Sequence, residues 1–211
     1  VHQSASRDLE FFFLSLPLFL KDSSNGIGIF YPFLVFSDQE TSLDMEMVPK
    51  IIPVDPGSDH EIRLIANRMK YTLMEVLGDE RGSSMYSDEW LKDRVMQHLD
   101  GRLDGEILLA KTDAKEICGH TILRVEDSQG TPSGLFSTIY VAEHYRRSGI
   151  GTKLLRAGES WFQKRKATSI NTYTDLKNQK LIKLFEKHGY RIAFTNQEKH
   201  MCQLQKSINP E

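Results

Sequence analysis

Two spacings of apolar residues take turns along most of this chain. Behind Ser58-Asp59-His60-Glu61, apolar residues at Ile62, Ile65, Met69, Leu73 and Val76 step by three and four, the period of one helix face. The serine and the glutamate form a capping box for the first turn, and Gly78 closes the helix. Ser87 opens a second helix, with Leu91, Val95 and Leu99 on one side and Trp90 beside them, and Gly101 and Gly105 bracket its end. The pattern then shortens to strand-like runs at residues 106–111, 116–126 and 135–141, joined by polar turns. A helix follows from Gly149 to about Lys166, with Ile150, Leu154, Ala157 and Trp161 facing inward. Residues 168–174 read as a strand, 178–188 as a helix ended by Gly189, and 190–195 and 200–204 as closing strands. Upstream, residues 48–54 read as a short first strand whose two prolines suit an edge or a strand end. The order is βααβββαβαββ, which predicts an α/β domain of mixed sheet, large enough for one core.

Residues 1–48 do not share this pattern. They hold seven of the eleven Phe and carry two basic against seven acidic residues, a net −5, which leaves +3 for residues 49–211. The chain is therefore two unlike pieces, an apolar and acidic extension over 1–47 and a domain over 48–211. Two apolar runs, residues 11–20 and 27–36, flank the turn-like Lys21-Asp22-Ser23-Ser24-Asn25-Gly26. Each is too short to cross a bilayer as a helix, which takes roughly 20 residues. Arg7 is cancelled by Asp8 and Glu10 and no small-residue cleavage site follows, so a signal peptide is not expected. A membrane contact through residues 11–36, an apolar strap on the domain or a partner, and a start at Met45 or Met47 all stay open. Overall charge is −2, too small to argue for nucleic acid as a partner. Two cysteines cannot build a disulfide framework or a four-cysteine zinc site, so no metal and a reducing, cytoplasmic setting are expected.

The stretch richest in chemistry is Ile139-Tyr140-Val141-Ala142-Glu143-His144-Tyr145-Arg146-Arg147-Ser148-Gly149-Ile150-Gly151-Thr152. A strand runs into a basic turn with two glycines, and the turn opens directly into an amphipathic helix. Glycine lets backbone approach a ligand closely, and a helix start offers unpaired N–H groups and a positive dipole end. Together with Arg146 and Arg147 that is an anion site, most naturally for phosphate. A Walker A loop needs Gly-Lys-Ser/Thr, and Gly151-Thr152-Lys153 breaks that order; a dinucleotide fingerprint needs a third glycine where Leu154 stands.

What remains is Arg-x-x-Gly-x-Gly from Arg146 to Gly151, between a strand and a long helix. Here the sequence resembles the GNAT superfamily of N-acetyltransferases. A second block, Asn178-x-x-Leu181-x-x-Leu184-Phe185-Glu186-Lys187-His188-Gly189-Tyr190, is similar to the family's "N..A..LYEK.GF" helix and turn. The resemblance covers roughly residues 48–205. It implies a mixed, mostly antiparallel sheet flanked by helices, and acetyl-CoA as cosubstrate. Arg146, Arg147, Ser148, Gly149, Ile150, Gly151 and Thr152 would wrap its pyrophosphate, while Ile139, Tyr140 and Val141 run along the pantetheine. A backbone N–H at Val141 or Tyr140 would hold the oxyanion. Asn178 would bond the pantetheine or nearby backbone. Phe185 would stand near the sulfur where the family often has a tyrosine that protonates the leaving thiolate, and a phenyl ring has no proton to give.

The implied reaction is acetyl transfer to a primary amine, on a small molecule or a peptide, by direct attack in a ternary complex. A lysine-like amine has a pKa of about 10.4 and must lose a proton first. Candidate bases are His120, Glu106 and Asp175, and none is singled out. The acceptor cleft is expected near residues 78–90, where Asp79, Glu80, Asp88 and Glu89 accompany Arg81; that bias suits a cationic amine or a plain solvated surface. The competing class is a non-catalytic acyl-CoA-binding or regulatory module. A homodimer stays open.

Overall fold

The computed structural model describes residues 49–128 and 130–208. The apolar runs before residue 48, and the membrane, strap and start-site readings attached to them, lie outside the described residues.

Ser58 opens the first helix, α1 (Asp59–Leu77), by accepting the Glu61 N–H at 3.3 Å. The other half of the capping box is absent, because Glu61 turns elsewhere: its carboxylate accepts the Asp55 N–H at 3.1 Å and pairs with Lys111. Glycine at φ +85° ends this helix at Gly78, and a short helix absent from the expected order, α2 (Asp79–Met85), follows at once. It has no apolar period to announce it; two acids sit in its first turn and the Ser83 and Ser84 hydroxyls bond back to the Glu80 carbonyl. Ser87 caps α3 (Asp88–Gln97) by accepting the Trp90 N–H at 3.1 Å.

Seven strands make one sheet: β1 (Lys50–Pro53), β2 (Gly105–Lys111), β3 (Ile117–Ser128), β4 (Thr131–Val141), β5 (Ser169–Asp175), β6 (Arg191–Asn196) and β7 (Met201–Ser207). Their order is β1-β2-β3-β4-β5-β7-β6. All neighbours run antiparallel except β4 and β5. The parallel pair needs a crossover, supplied by α4 (Ile150–Lys164) between the two strands; α5 (Gln179–Lys187) follows β5.

Period-2 alternation sends neighbouring strand residues to opposite layers. Ile107, Leu109 and Ile122 meet Ile62, Ile65, Met69 and Leu73 of α1 and Leu91 and Val95 of α3. On the other face Leu108, Leu123 and Phe136 meet Leu155 and Phe162 of α4 and Leu181, Ile182 and Phe185 of α5. The central strands are thus covered on both faces, while the edge strand β6 is largely exposed.

The feature that makes room for a site is where β4 and β5 stop pairing. Their register runs only from Ser133↔Ser169 to Phe136↔Thr172, although β4 continues to Val141 and β5 to Asp175. At that point Ile122 pairs with Thr138 and Leu123 with Phe136, leaving Ser137 as an extra residue in β4. Such a bulge bends its strand and sharpens the local twist. Beyond it β4 stays with β3, β5 stays with β7, and a gap opens between them.

Candidate active site

A cavity of about 460 Å³ occupies that gap. Thr138, Ile139, Tyr140 and Val141 of β4 form one wall, and Asn178, Lys180, Leu181, Leu184 and Lys187 of α5 and its cap form another. Thr72 of α1 closes one side. The turn and the start of α4 (Tyr145, Arg146, Arg147, Gly149, Ile150, Gly151 and Thr152) line the remainder.

Strand geometry decides which backbone groups face this space. The Ala142 N–H bonds the Cys118 carbonyl at 2.9 Å and the Thr138 carbonyl accepts from the Thr121 hydroxyl at 2.8 Å, so residues 138, 140 and 142 address β3. Alternation turns the N–H of Ile139 and Val141 toward the gap. Of the two oxyanion donors expected from sequence, the Tyr140 N–H therefore points the wrong way, and Val141 keeps the geometry. The Val141 carbonyl receives the Arg146 Nε–H at 3.1 Å, which ties the basic turn to the strand end.

The turn delivers the helix start in an unusual state. Ser58, Ser87 and Asn178 cap α1, α3 and α5 with side-chain oxygens, but the cap of α4 is Gly149, at φ +82°, and no side chain bonds there. Its first turn holds no acid, and the Lys153 N–H bonds the Gly149 carbonyl at 3.1 Å. The N–H groups of Ile150, Gly151 and Thr152 thus present the positive end of a 15-residue helix to the cavity. Every charged side chain among the described lining residues is cationic: Arg146, Arg147, Lys180 and Lys187. An anion is the natural occupant.

Placement of the other candidates varies. Ser148 is exposed and spends its hydroxyl on the Tyr145 carbonyl at 2.6 Å. Asn178 is at the wall, but its oxygen caps the Leu181 N–H at 3.3 Å and its Nδ2 donates to Thr174 Oγ1 at 2.6 Å, so its amide serves α5 first. Phe185 departs from the sequence expectation. It is fully buried, 5.5 Å from the Phe136 ring and 4.8 Å from that of Tyr190, because α5 directs this position into the core and gives Leu184 to the cavity.

The three bases sit no closer to the chemistry. His120 is 1% exposed, stacked 5.3 Å from the Tyr140 ring with both ring nitrogens unpartnered among the described residues, and burial holds its pKa down at about 3. The Asp175 carboxylate accepts the Lys177 N–H at 2.7 Å, fixing the turn into α5. Glu106 faces Leu123 across β2 and β3 and does not line the cavity. Nor do the rim acids: Asp88 pairs with Lys70 at 2.5 Å, and Asp79, Glu80 and Glu89 lie exposed outside it.

Some lining residues carried no sequence signal. Thr72 reaches the cavity only through the packing of α1, while Lys180 and Lys187 share a face with Leu184 and were readable as a basic stripe. Tyr145 donates to Glu116 at 2.5 Å, which pushes the phenol up to about 12 and holds the turn against the start of β3.

Comparison with known proteins agrees with this architecture. Residues 71–190 match the Acetyltransferase (GNAT) family model. Probable N-acetyltransferase 14 of Xenopus tropicalis is 33% identical over 88 residues, 42% of this chain and 42% of that protein. The match thus spans about two fifths of that relative's length. The PaiA N-acetyltransferase of Thermoplasma acidophilum, solved with coenzyme A, superposes with a TM-score of 0.59 at 18% identity, over 75% of this chain and 98% of its own. A GNAT family acetyltransferase of Staphylococcus aureus gives 0.58 at 15% identity, over 76% of this chain and 99% of its own. Those likenesses show the fold, and the family match, which takes in the splayed strands and the glycine turn, shows that this chain belongs to the GNAT acetyltransferase family.

Proposed function

We propose that the chain transfers acetyl from acetyl-CoA to a primary amine by direct attack within a ternary complex. One observation carries this reading: a single cavity joins the uncapped start of α4 to the gap where the Val141 N–H is exposed. In it the pyrophosphate lies on the N–H groups of residues 150–152 with Arg146 and Arg147 at hand, and the pantetheine takes the place of the missing β4–β5 pairing. The thioester carbonyl then meets the Val141 N–H, which stabilises the oxyanion as the amine nitrogen bonds to the acetyl carbon. Collapse breaks the carbon–sulfur bond. The sulfur leaves as thiolate, tolerable for an alkyl thiol whose pKa is about 8.5, and the new ammonium centre loses its proton.

No carboxylate or imidazole is found among the described residues lining the cavity, and Tyr145, held at about 12, stays protonated. The acceptor's proton therefore goes to solvent, and positioning supplies most of the rate. On this account kcat/KM climbs about tenfold per pH unit below the amine's own pKa. The test is steady CoA release with a panel of amines. Tight acetyl-CoA binding without turnover or slow hydrolysis would replace the transferase with a non-catalytic acyl-CoA-binding module.

A further inference from the structure

Behind Tyr140, outside the cavity lining, lies a cation with no ion-pair partner among the described residues. Arg68 of α1 donates from Nη2 to the Ile117 carbonyl at 2.8 Å, while its Nη1 is buried with no partner among the described residues. Its guanidinium lies 4.8 Å from the centroid of the Tyr140 ring, and Tyr140 lines the cavity beside Val141. Thr72, one turn further along α1, lines it too and donates its hydroxyl to the Arg68 carbonyl at 2.8 Å. Two other part-buried cations, Lys111 and Lys206, are matched by carboxylates, Glu61 and, at 2.8 Å, Glu159. Arg68 forms no such ion pair among the described residues. Burial pushes its pKa down, and the groups that offset this are Tyr140 and Cys118, neither of them a carboxylate. Removing a guanidinium from water without a counter-charge is costly, so a carboxylate brought close to it is favoured even without direct contact.

Acetyl-CoA is already served at the other end of the cavity by the turn and the start of α4. What enters beside Tyr140 is the acceptor. We infer that the acceptor is an amine that carries its own carboxylate, an amino acid or amino-acid conjugate, and that Arg68 selects it. This rests on the acetyl-transfer reading above. The guanidinium acts across one aromatic ring, a separation over which an unpaired charge in a water-poor wall is still felt.

The experiment compares matched triplets under saturating acetyl-CoA: an amino acid, its carboxamide, and the amine left when the carboxylate is removed. The carboxamide is a stringent control, since its amine is less basic and freer to attack. The expected result is a kcat/KM for the acid about tenfold or more above the other two. Arg68→Met should erase that preference and leave the carboxamide and the KM for acetyl-CoA within about twofold, while Arg68→Lys retains part of it. Should Arg68→Met fail to fold, Arg68→Lys and the wild-type triplet ratios still decide the matter. Equal turnover of all three by the wild type, or an equal fall for all three in Arg68→Met, overturns the selection and leaves the transferase standing. Acetyl-CoA binding with no turnover of any member overturns the transferase itself, and the selection with it.

Discussion

Gly149 and Gly151 look alike in sequence and do different work. Gly149 has open space where a Cβ would go, so only its φ of +82° demands glycine. Gly151 has an ordinary backbone, and a Cβ there would meet Leu184 Cδ2 at 3.4 Å and Val141 Cγ2 at 4.0 Å, which are comfortable contacts. Gly149→Ala should therefore cost about 1 kcal/mol of stability through the left-handed backbone. Gly151→Asp should leave the melting temperature nearly unchanged and still destroy acetyl-CoA binding, because a carboxylate then points where the pyrophosphate belongs. Calorimetry beside a thermal melt separates the two effects; unaltered affinity in Gly151→Asp would move the phosphate site elsewhere. The glycine turn was legible because phosphate binding by backbone leaves a local signature. Phe185 was not, since a helix residue's direction depends on how α5 rolls against β5, and the neighbouring Leu184 went to the cavity instead.

Whole elements were legible wherever apolar spacing is local, and the relation between them was not. The long helix after Gly149 and the strands around it follow from periods of 3.6 and 2. The insertion of β7 between β5 and β6, and the parting of β4 from β5 at Ser137, are pairing choices among distant segments. One clue to that geometry lies in two glycines whose role is spacing. A Cβ on Gly158 of α4 would come within 2.3 Å of the Phe136 ring, and one on Gly134 of β4 within 2.6 Å of Phe162. Helix and strand approach here more closely than any side chain permits, and this contact sets where the start of α4 stands relative to Val141. Gly158→Val should overpack the interface by about 1–3 kcal/mol, or roughly 2–12 °C in melting temperature for a domain of this size. It should also weaken acetyl-CoA binding, although residue 158 lies about two and a half turns from Gly149. A stable variant with normal acetyl-CoA affinity would show that α4 is positioned by something other than this contact.

For the molecule as a whole, the layer of α1 to α3 against the sheet differs from the opposite layer in holding two buried imidazoles. His98, at the end of α3, is 5% exposed with Nδ1 against the Arg94 carbonyl at 2.9 Å; burial, offset in part by that bond, lowers its pKa to about 4. His120 is lowered further, to about 3, by burial and then by the charge of Arg68. Both are neutral in the native state, whereas in the unfolded chain each titrates at about 6.5. As pH falls through 6.5 the unfolded state gains protons that the native state refuses, so stability declines from there down to the native pKa values. Well below 6.5 each histidine costs about 1.4 kcal/mol per pH unit, or roughly 4 kcal/mol for the pair by pH 5. That is a large part of the 5–15 kcal/mol typical of a domain. Asp59, Asp93, Asp100 and Glu116 are all held below their ordinary values by hydrogen-bonded neighbours. Their unfolded values are about 4, so their contribution is lost only at lower pH, and the window from 6.5 to 5 belongs to the imidazoles. Thermal melts across that window should fall by roughly 8–16 °C, and His120→Phe, which keeps a ring against Tyr140, should remove about half of the slope. A flat profile would mean that protons reach both rings in the native state. It would then place His120 in contact with the cavity after all and restore it as a base for the acceptor amine.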